Sequence, residues 1–203
     1  MAADEAIAAK NITRRNVLAA RDAMTQRERE NKSAVITAQL VALPELAGEG
    51  KSPVGTVAAY LSFGTEFDTT GFIDALMAKG SRLVLPRVNR ATRRIDFFTV
   101  TDLASSLVAG LWGIREPDPD RCARADMREI DFMLVPGVAF TRRCERLGYG
   151  GGFYDAAITK LRSGVTKVAA AFAIQILDEL PLEPHDRYVD RVMTESGMYQ
   201  RGE

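Results

Sequence analysis

The run Asp131-Phe132-Met133-Leu134-Val135 is followed by a helical stretch over Phe153 to Leu161 and then by Lys167-Val168-Ala169-Ala170-Ala171-Phe172-Ala173, and this succession decides the fold. Both apolar runs are continuous rather than alternating, which is the pattern of strands buried on two faces. Toward the N-terminus the pattern repeats. Lys79-Gly80 stops a helix ahead of a strand at Arg82 to Pro86, and Val54 to Ser62 (VGTVAAYLS) reads as another buried strand. The helix after it runs through Ile73, Leu76 and Met77, with Asp68, Thr69 and Thr70 as candidate N-caps. Asp4 to Leu43 predicts two helices, with Ile7, Val17, Leu18, Met24, Val35, Ile36 and Leu40 at helical intervals, ended by Pro44 and the GEGKSP stretch. A last short strand is expected at Arg191 to Thr194. Alternating strands and helices of this kind predict an α/β fold, a mainly parallel sheet with helices on both faces. In such sheets ligands sit beyond the carboxyl ends of the strands, so the loops after Ser62, Pro86 and Val135 are where a site is expected.

The chain of 203 residues shows no repeat, low-complexity tract or Gly/Ser linker, and residues 1–203 read as a single domain. With 46% hydrophobic and 27% charged residues it can bury a real core. Twenty-seven basic residues against 27 acidic ones leave no net charge to draw the molecule to a polyanion, so nucleic acid is not an expected partner. Cys122 and Cys144 form no CxxC pair, the first residues lack an apolar signal core, and the longest uncharged stretch, Ser52 to Thr65, is 14 residues. A membrane span needs roughly 18. These features predict a cytoplasmic protein without membrane attachment; a monomer or weak dimer acting on small molecules is the expectation for its partners.

The densest chemical signal is Arg146-Leu147-Gly148-Tyr149-Gly150-Gly151-Gly152-Phe153-Tyr154-Asp155. Its glycines expose backbone N–H groups ahead of a helix, and Arg142, Arg143 and Arg146 stand nearby, a combination that favours phosphate. It is not a P-loop, which needs a Gly-Lys-Ser/Thr ending, nor a dinucleotide fingerprint, which follows its strand at once. A carboxylate beside bound phosphate calls for an intervening cation, so Asp155 is a candidate magnesium ligand, with Asp190 or Asp186 as a second. Lys10 and Arg14 share one helix face and can close on the same anion. Glu66, in the loop after Leu61 and Ser62, can accept hydrogen bonds from a polar heterocycle such as a pterin or purine. Arg87 can reach the same crevice, and Trp112 can flank a flat ring. The single histidine, His185, has no GxSxG elbow or neighbouring cysteine to serve, which argues against nucleophilic hydrolysis.

The segment Asp131 to Phe140, followed by Arg146 to Asp155, resembles the signature of the 5-formyltetrahydrofolate cyclo-ligase family. Further matches are Lys10 and Arg14, Tyr60-Leu61-Ser62 with Glu66 and Thr69, Leu85-Pro86-Arg87, Trp112-Gly113-Ile114 with Glu116-Pro117, Ala171-Phe172-Ala173 with Gln175, and Val189-Asp190. The resemblance implies a fold like the ribose-phosphate isomerase and CoA-transferase group. It also implies an enzyme that uses ATP as co-substrate and Mg2+ to turn 5-formyltetrahydrofolate into 5,10-methenyltetrahydrofolate, ADP and phosphate, by phosphorylating the formyl oxygen so that a neighbouring nitrogen closes the ring. By position it implies that Lys10, Arg14, Arg146, Leu147, Gly148, Tyr149, Gly150, Gly151, Gly152, Phe153 and Tyr154 hold ATP. Leu61, Glu66 and Tyr149 to Phe153 would contact the folate, Asp155 and Asp190 the magnesium, and Arg146, Tyr154 and Asp155 would carry catalysis.

The chain departs from some members of that family in having Tyr149 and Gly151 where they carry Lys or Arg, so the missing charge is expected from Arg142, Arg143 or Lys10. Phe153 stands where a Tyr is common, and the turn at residues 141–145 is more basic than usual. Two alternatives keep the same residues: a sugar-phosphate or CoA-ester enzyme on this fold, and a non-catalytic paralogue using its arginine-rich surface.

Overall fold

A computed structural model describes residues 2–47, 55–89, 91–92, 94–110 and 113–202. In chain order its elements are α1 (Ala2–Asp22), α2 (Gln26–Val41), α3 (Pro44–Ala47), β1 (Thr56–Ala58), α4 (Thr70–Ala78), β2 (Arg82–Asn89), β3 (Arg94–Thr99), β4 (Leu107–Ala109), β5 (Arg115–Pro117), β6 (Ile130–Leu134), β7 (Ala139–Thr141), β8 (Arg146–Leu147), α5 (Phe153–Ile158), β9 (Thr166–Ala170), β10 (Ile176–Leu177), β11 (Arg191–Thr194) and β12 (Gly197–Gln200). The main sheet has seven strands in the order β12-β11-β9-β6-β1-β2-β3. Its inner pairings are parallel, and the two edge strands, β12 and β3, are antiparallel to their neighbours.

The continuous apolar runs bury both faces because successive side chains point to opposite sides of a strand. Val57, Leu83, Leu85, Phe132, Leu134, Val168 and Met193 meet Ile36 and Leu40 of α2 and Phe72, Ile73 and Leu76 of α4 on one face. The intervening residues Ala58, Val84, Met133, Val135, Ala169 and Val192 meet Ala157 of α5 on the other. Helix α2 starts where Thr25 and Glu28 form a reciprocal capping box, Glu28 N donating to Thr25 Oγ1 at 3.2 Å and Thr25 N to Glu28 Oε2 at 2.8 Å. Such a cap is worth about 1 kcal/mol. Helix α1 lies apart from these layers, its Val17 packed on Val138, Ala139 and Leu147 around the small β10-β7-β8 sheet.

Several boundaries differ from those the sequence predicts. The strand expected over Val54 to Ser62 is β1, with Val54 outside the described residues; Ala59 still donates to Val84 O at 3.1 Å, after which the chain leaves the sheet. The helix expected to reach Leu161 ends at Ile158, and the strand expected to reach Ala173 ends at Ala170, where Phe172 N turns to the side chain of Gln175 at 2.9 Å. Thr69 is the N-cap of α4 without using its side chain, while Asp68 Oδ1 accepts from Thr70 N at 2.9 Å. Strands β3, β4, β5, β7, β8, β10 and β12 were not anticipated.

Candidate active site

The carboxyl ends of β1, β2 and β6 open onto a cavity of about 800 Å³, within the range of small-molecule sites. Its walls come from the loop after β1 (Tyr60, Leu61, Phe63, Glu66), from β2 (Leu85, Pro86, Val88, Asn89), from Ile95, from Ile114 to Glu116, from Pro136, and from the segment Arg146 to Asp155 except Leu147 and Gly150. The loops expected after Ser62 and Val135 therefore meet at one place, joined there by Pro86, which the structure keeps within β2 rather than ahead of a loop.

The glycine segment is carried to the cavity by β8, which pairs antiparallel with β7 through Phe140 and Arg146. Arg146 is buried; its Nη1 donates to Pro136 O at 3.1 Å and its Nη2 to Asp155 Oδ1 at 2.6 Å. Asp155 Oδ1 also accepts from Arg187 N at 3.0 Å, which leaves Oδ2 without a hydrogen bond among the described residues. Gly150 and Gly152 adopt φ of 102° and 66°, conformations that favour glycine. A Cβ on Gly148 would come within 2.9 Å of Arg146 Nη1, so the backbone lies directly against that guanidinium. Among the described residues, the N–H groups of Tyr149 to Gly152 donate to no acceptor in the chain. Because α5 has only six residues, the anion-holding capacity rests on these amides and Arg146 rather than on a long helix dipole.

Two buried polar atoms beside this segment, Arg146 Nε and Tyr154 Oη, also lack a partner among the described residues. Buried donors are rarely left so, and a ligand's oxygens are a natural partner. Burial, reinforced by the charge of Glu66, pushes the Tyr154 phenol above its ordinary range despite the opposing charge of Arg146, so it is a neutral hydroxyl that can donate.

Across the cavity Glu66 is 8% exposed, with Oε2 accepting from Phe63 N at 3.0 Å and Oε1 from the Tyr149 hydroxyl at 2.5 Å. Burial raises its pKa above the ordinary glutamate value, while the bonds from Tyr149 and Phe63 and the charge of Arg21 act in the opposite direction. The Tyr149 ring leans on Phe63 with centroids 5.3 Å apart. Burial and the Glu66 charge together hold the Tyr149 phenol well above its usual range, against the influence of Arg21.

The remaining expectations are met unevenly. Arg14 reaches the glycine segment, its Nε donating to Gly148 O at 2.8 Å, but it is not among the residues lining the cavity. Lys10, on the same helix face, does not line the cavity: its ammonium bonds Glu183 Oε2 at 2.6 Å and Asp186 Oδ2 at 2.7 Å. Asp190 is not brought to Asp155; it precedes β11 and binds Lys167 through both the backbone N, at 2.7 Å, and Nζ, at 2.8 Å, away from the cavity wall. Its neighbour β11 runs parallel to β9, so Asp190 sits at the amino end of these strands whereas the cavity lies at carboxyl ends. Asp186 is committed to Lys10, and Arg143 to Glu145 at 3.2 Å on the surface. His185 is exposed, and Trp112 lies outside the described residues. Among the described residues no group of three or more His, Cys, Asp or Glu is placed to hold a metal ion.

The residue that sequence reasoning missed is Arg21, buried at the end of α1, with Nε on Thr65 Oγ1 and Nη1 on Tyr149 Oη, both at 3.0 Å. Its signal was present as spacing: Lys10, Arg14, Val17 and Arg21 recur at helical intervals, one inward stripe carrying three cations.

Comparison with known proteins agrees with this geometry. Residues 6–195 match the model of the 5-formyltetrahydrofolate cyclo-ligase family. The chain is 32% identical over 176 residues to the 5-formyltetrahydrofolate cyclo-ligase of Mycolicibacterium smegmatis, covering 86% of this chain and 91% of that one. It is 33% identical over 146 residues to the enzyme of that name from Escherichia coli, covering 71% and 80%. Among solved structures, the 5,10-methenyltetrahydrofolate synthetase of Aquifex aeolicus superposes with a TM-score of 0.82 at 29% identity, over 96% of this chain and 93% of that one. No helix among the described residues is long and apolar enough to cross a membrane.

Proposed function

The chain belongs to the 5-formyltetrahydrofolate cyclo-ligase family, and from that premise we propose that the cavity above β1, β2 and β6 binds ATP and 5-formyltetrahydrofolate together and closes the folate ring. The protein is a ligase of folate chemistry, with ATP as the co-substrate this proposal assigns it, and the sugar-phosphate, CoA-ester and non-catalytic readings are not favoured by these relatives. The observation that carries the placement is the row of unpartnered amides at Tyr149 to Gly152 beside the partly unsatisfied guanidinium of Arg146, facing a buried carboxylate across the same cavity.

In this reading the amides and Arg146 hold the triphosphate, Arg14 adds its charge from behind the glycine segment, and Tyr154 Oη donates to an oxygen of the transferring group. The γ-phosphoryl passes to the formyl oxygen and ADP departs. The neighbouring amine nitrogen then attacks the formyl carbon, loses its proton, and phosphate leaves with the former formyl oxygen. Positioning and charge neutralisation supply most of the acceleration in such transfers. Glu66 accepts from the N–H groups of the pterin, which fixes the formyl group toward the glycine segment. Leu61, Leu85, Pro86, Ile95 and Phe153 keep water from the phosphorylated formyl group, whose hydrolysis would waste ATP.

Asp155 fits a magnesium ion that takes one carboxylate and several phosphate oxygens, because its Oδ2 is unengaged beside the glycine segment; Asp190, bound to Lys167, does not fit. Bound there, magnesium would offset the negative charge shared by the triphosphate and that carboxylate. The reading also makes the protein cytoplasmic, in keeping with cysteines that form no CxxC pair.

The test is to mix purified protein with 5-formyltetrahydrofolate, ATP and magnesium and follow methenyl product and ADP. Stoichiometric formation of both supports the proposal. Product without ATP consumption, or none at all, refutes it.

A further inference from the structure

Arg21 is a buried cation with no carboxylate within ion-pair distance among the described residues. Its guanidinium touches two hydroxyls instead, Thr65 Oγ1 and Tyr149 Oη, each at 3.0 Å. Each hydroxyl in turn donates a hydrogen bond to a carboxylate, Thr65 to Asp22 Oδ1 and Tyr149 to Glu66 Oε1, both at 2.5 Å. The arrangement is directional. A guanidinium can only donate, so its N–H occupies a lone pair of the Tyr149 oxygen, and the phenolic proton is left to point at Glu66. One cation on α1 thereby orients both the loop after β1, through Thr65, and the glycine segment, through Tyr149.

We propose that Arg21 is a positioning residue for folate: acting through the Tyr149 hydroxyl, it keeps Glu66 aimed into the cavity as an acceptor for the N–H groups of the pterin. The inference rests on the proposed placement of folate at Glu66. Glu66 keeps one lone pair on each oxygen beyond those used by Tyr149 and Phe63, enough for a neighbouring pair of N–H donors such as a 2-amino-4-oxopyrimidine presents. A protonated Glu66 would offer only one acceptor oxygen and would set its own donor against those groups.

The groups that face Glu66 are Arg21 from α1, Tyr149 and Tyr154 from the glycine segment and its helix, and Tyr60 from the end of β1. The three phenols are neutral across the physiological range, so Arg21 is the one permanent positive charge acting on this carboxylate. Burial raises the Glu66 pKa and Arg21 opposes that rise. Loss of Arg21 therefore moves the ionisation of Glu66 to higher pH.

The experiment is steady-state kinetics of the wild type, Arg21→Met, Arg21→Lys, Tyr149→Phe and the double variant Arg21→Met/Tyr149→Phe, with both substrates varied and pH scanned, together with thermal melting. The expected result for Arg21→Met is a rise of about tenfold in KM for 5-formyltetrahydrofolate, the scale of one charge-assisted hydrogen bond. The KM for ATP should change less than about twofold, and the acid limb of kcat/KM for folate should move to higher pH. Arg21→Lys should restore part of the loss, and Arg21→Met should cost less on the Tyr149→Phe background than on the wild type, because the part of its effect carried by the hydroxyl is already gone. Equal losses for both substrates, an unmoved acid limb, or full additivity of the two substitutions would overturn the proposal and leave Arg21 a packing residue. A wild type that turns over no 5-formyltetrahydrofolate would instead overturn the folate reading itself. If Arg21→Met melts too low to assay, Arg21→Gln decides, since it keeps a donor for the Tyr149 hydroxyl while removing the charge: an unmoved acid limb there overturns the proposal, and a shift to higher pH with an unchanged KM for ATP supports it.

Discussion

Arg146 and Asp155 hold one another across the start of α5, Nη2 to Oδ1 at 2.6 Å, with the arginine side chain 2% exposed and the carboxylate 20%. The same arginine rests on Pro136 O and under Gly148, so one guanidinium ties the end of β6, the glycine segment and the helix that carries Asp155. Removing it leaves a largely buried carboxylate without its cation. Arg146→Met is expected to lower stability by about 2–4 kcal/mol, or very roughly 5–15 °C in melting temperature, and to abolish measurable turnover. A melting curve within a degree or two of wild type would show that the pair does not organise the site.

Asp155→Asn tests the carboxylate separately. Asparagine can still accept from Arg146 and from Arg187 N, so the fold should persist. Turnover is expected to fall at least about tenfold, the scale of a lost charge interaction in phosphoryl transfer. The magnesium concentration giving half-maximal rate should rise with it. A rate unchanged at saturating magnesium removes Asp155 from any metal role.

Glu66→Gln should weaken folate more than ATP, by about tenfold against less than twofold in KM. The pH dependence has a definite sign. Burial raises the Glu66 pKa, so in the wild type kcat/KM for folate falls as pH drops through a value above the ordinary glutamate range, and Glu66→Gln should lose that limb. Retention of the limb in the variant would assign it to another group.

Gly150 holds φ of 102°, and a Cβ there would lie 3.4 Å from Arg14 Cζ. Gly150→Ala is expected to strain the backbone by about 1–3 kcal/mol and to raise the KM for ATP more than that for folate, since the shift falls on the amides and on Arg14. Unaltered ATP binding would mean that the bend tolerates a side chain and does not set the nucleotide's position.

Lys10 is clasped by Glu183 and Asp186 beside the cavity rather than on its wall. Burial alone would lower its pKa, but bonds and charges from Asp186 and Glu183 more than reverse this, and Lys10 in turn lowers the pKa of Asp186 against its own burial. The stability of the clasp is present below the unfolded lysine pKa and is lost as pH rises through the raised folded value. On the carboxylate side it is present above the unfolded aspartate pKa and is lost as pH falls through the lowered one. The melting-temperature difference between wild type and Lys10→Met should therefore be widest between about pH 5 and 9 and close toward pH 3. A difference independent of pH would contradict an electrostatic clasp.

The strands that form the middle of the sheet were legible because burial on both faces leaves an unbroken apolar run, as in Phe132 to Val135 and Val168 to Ala171. The edge strands were not. Arg94 to Thr99 begins with a charge and is only partly covered, and Gly197 to Gln200 has an exposed Met198, so neither carries that run. The glycine segment was legible from its composition, whereas its connection to Glu66 and Arg21 joins residues 83 and 128 positions apart and no local pattern encodes it. The expectation of Asp190 as a magnesium ligand rests on the family resemblance; the residue stands immediately before the strand at Arg191 to Thr194, hence at that strand's amino end, where it pairs with Lys167.

The central claim is that the bend at Tyr149 to Gly152 grips the triphosphate, and a crystal structure with a non-hydrolysable ATP analogue and magnesium tests it most directly. The account predicts phosphate oxygens on the amides of Tyr149 to Gly152 and on the Arg146 guanidinium, with the metal on Asp155. A nucleotide seated elsewhere, with those amides bound only to water, would contradict it.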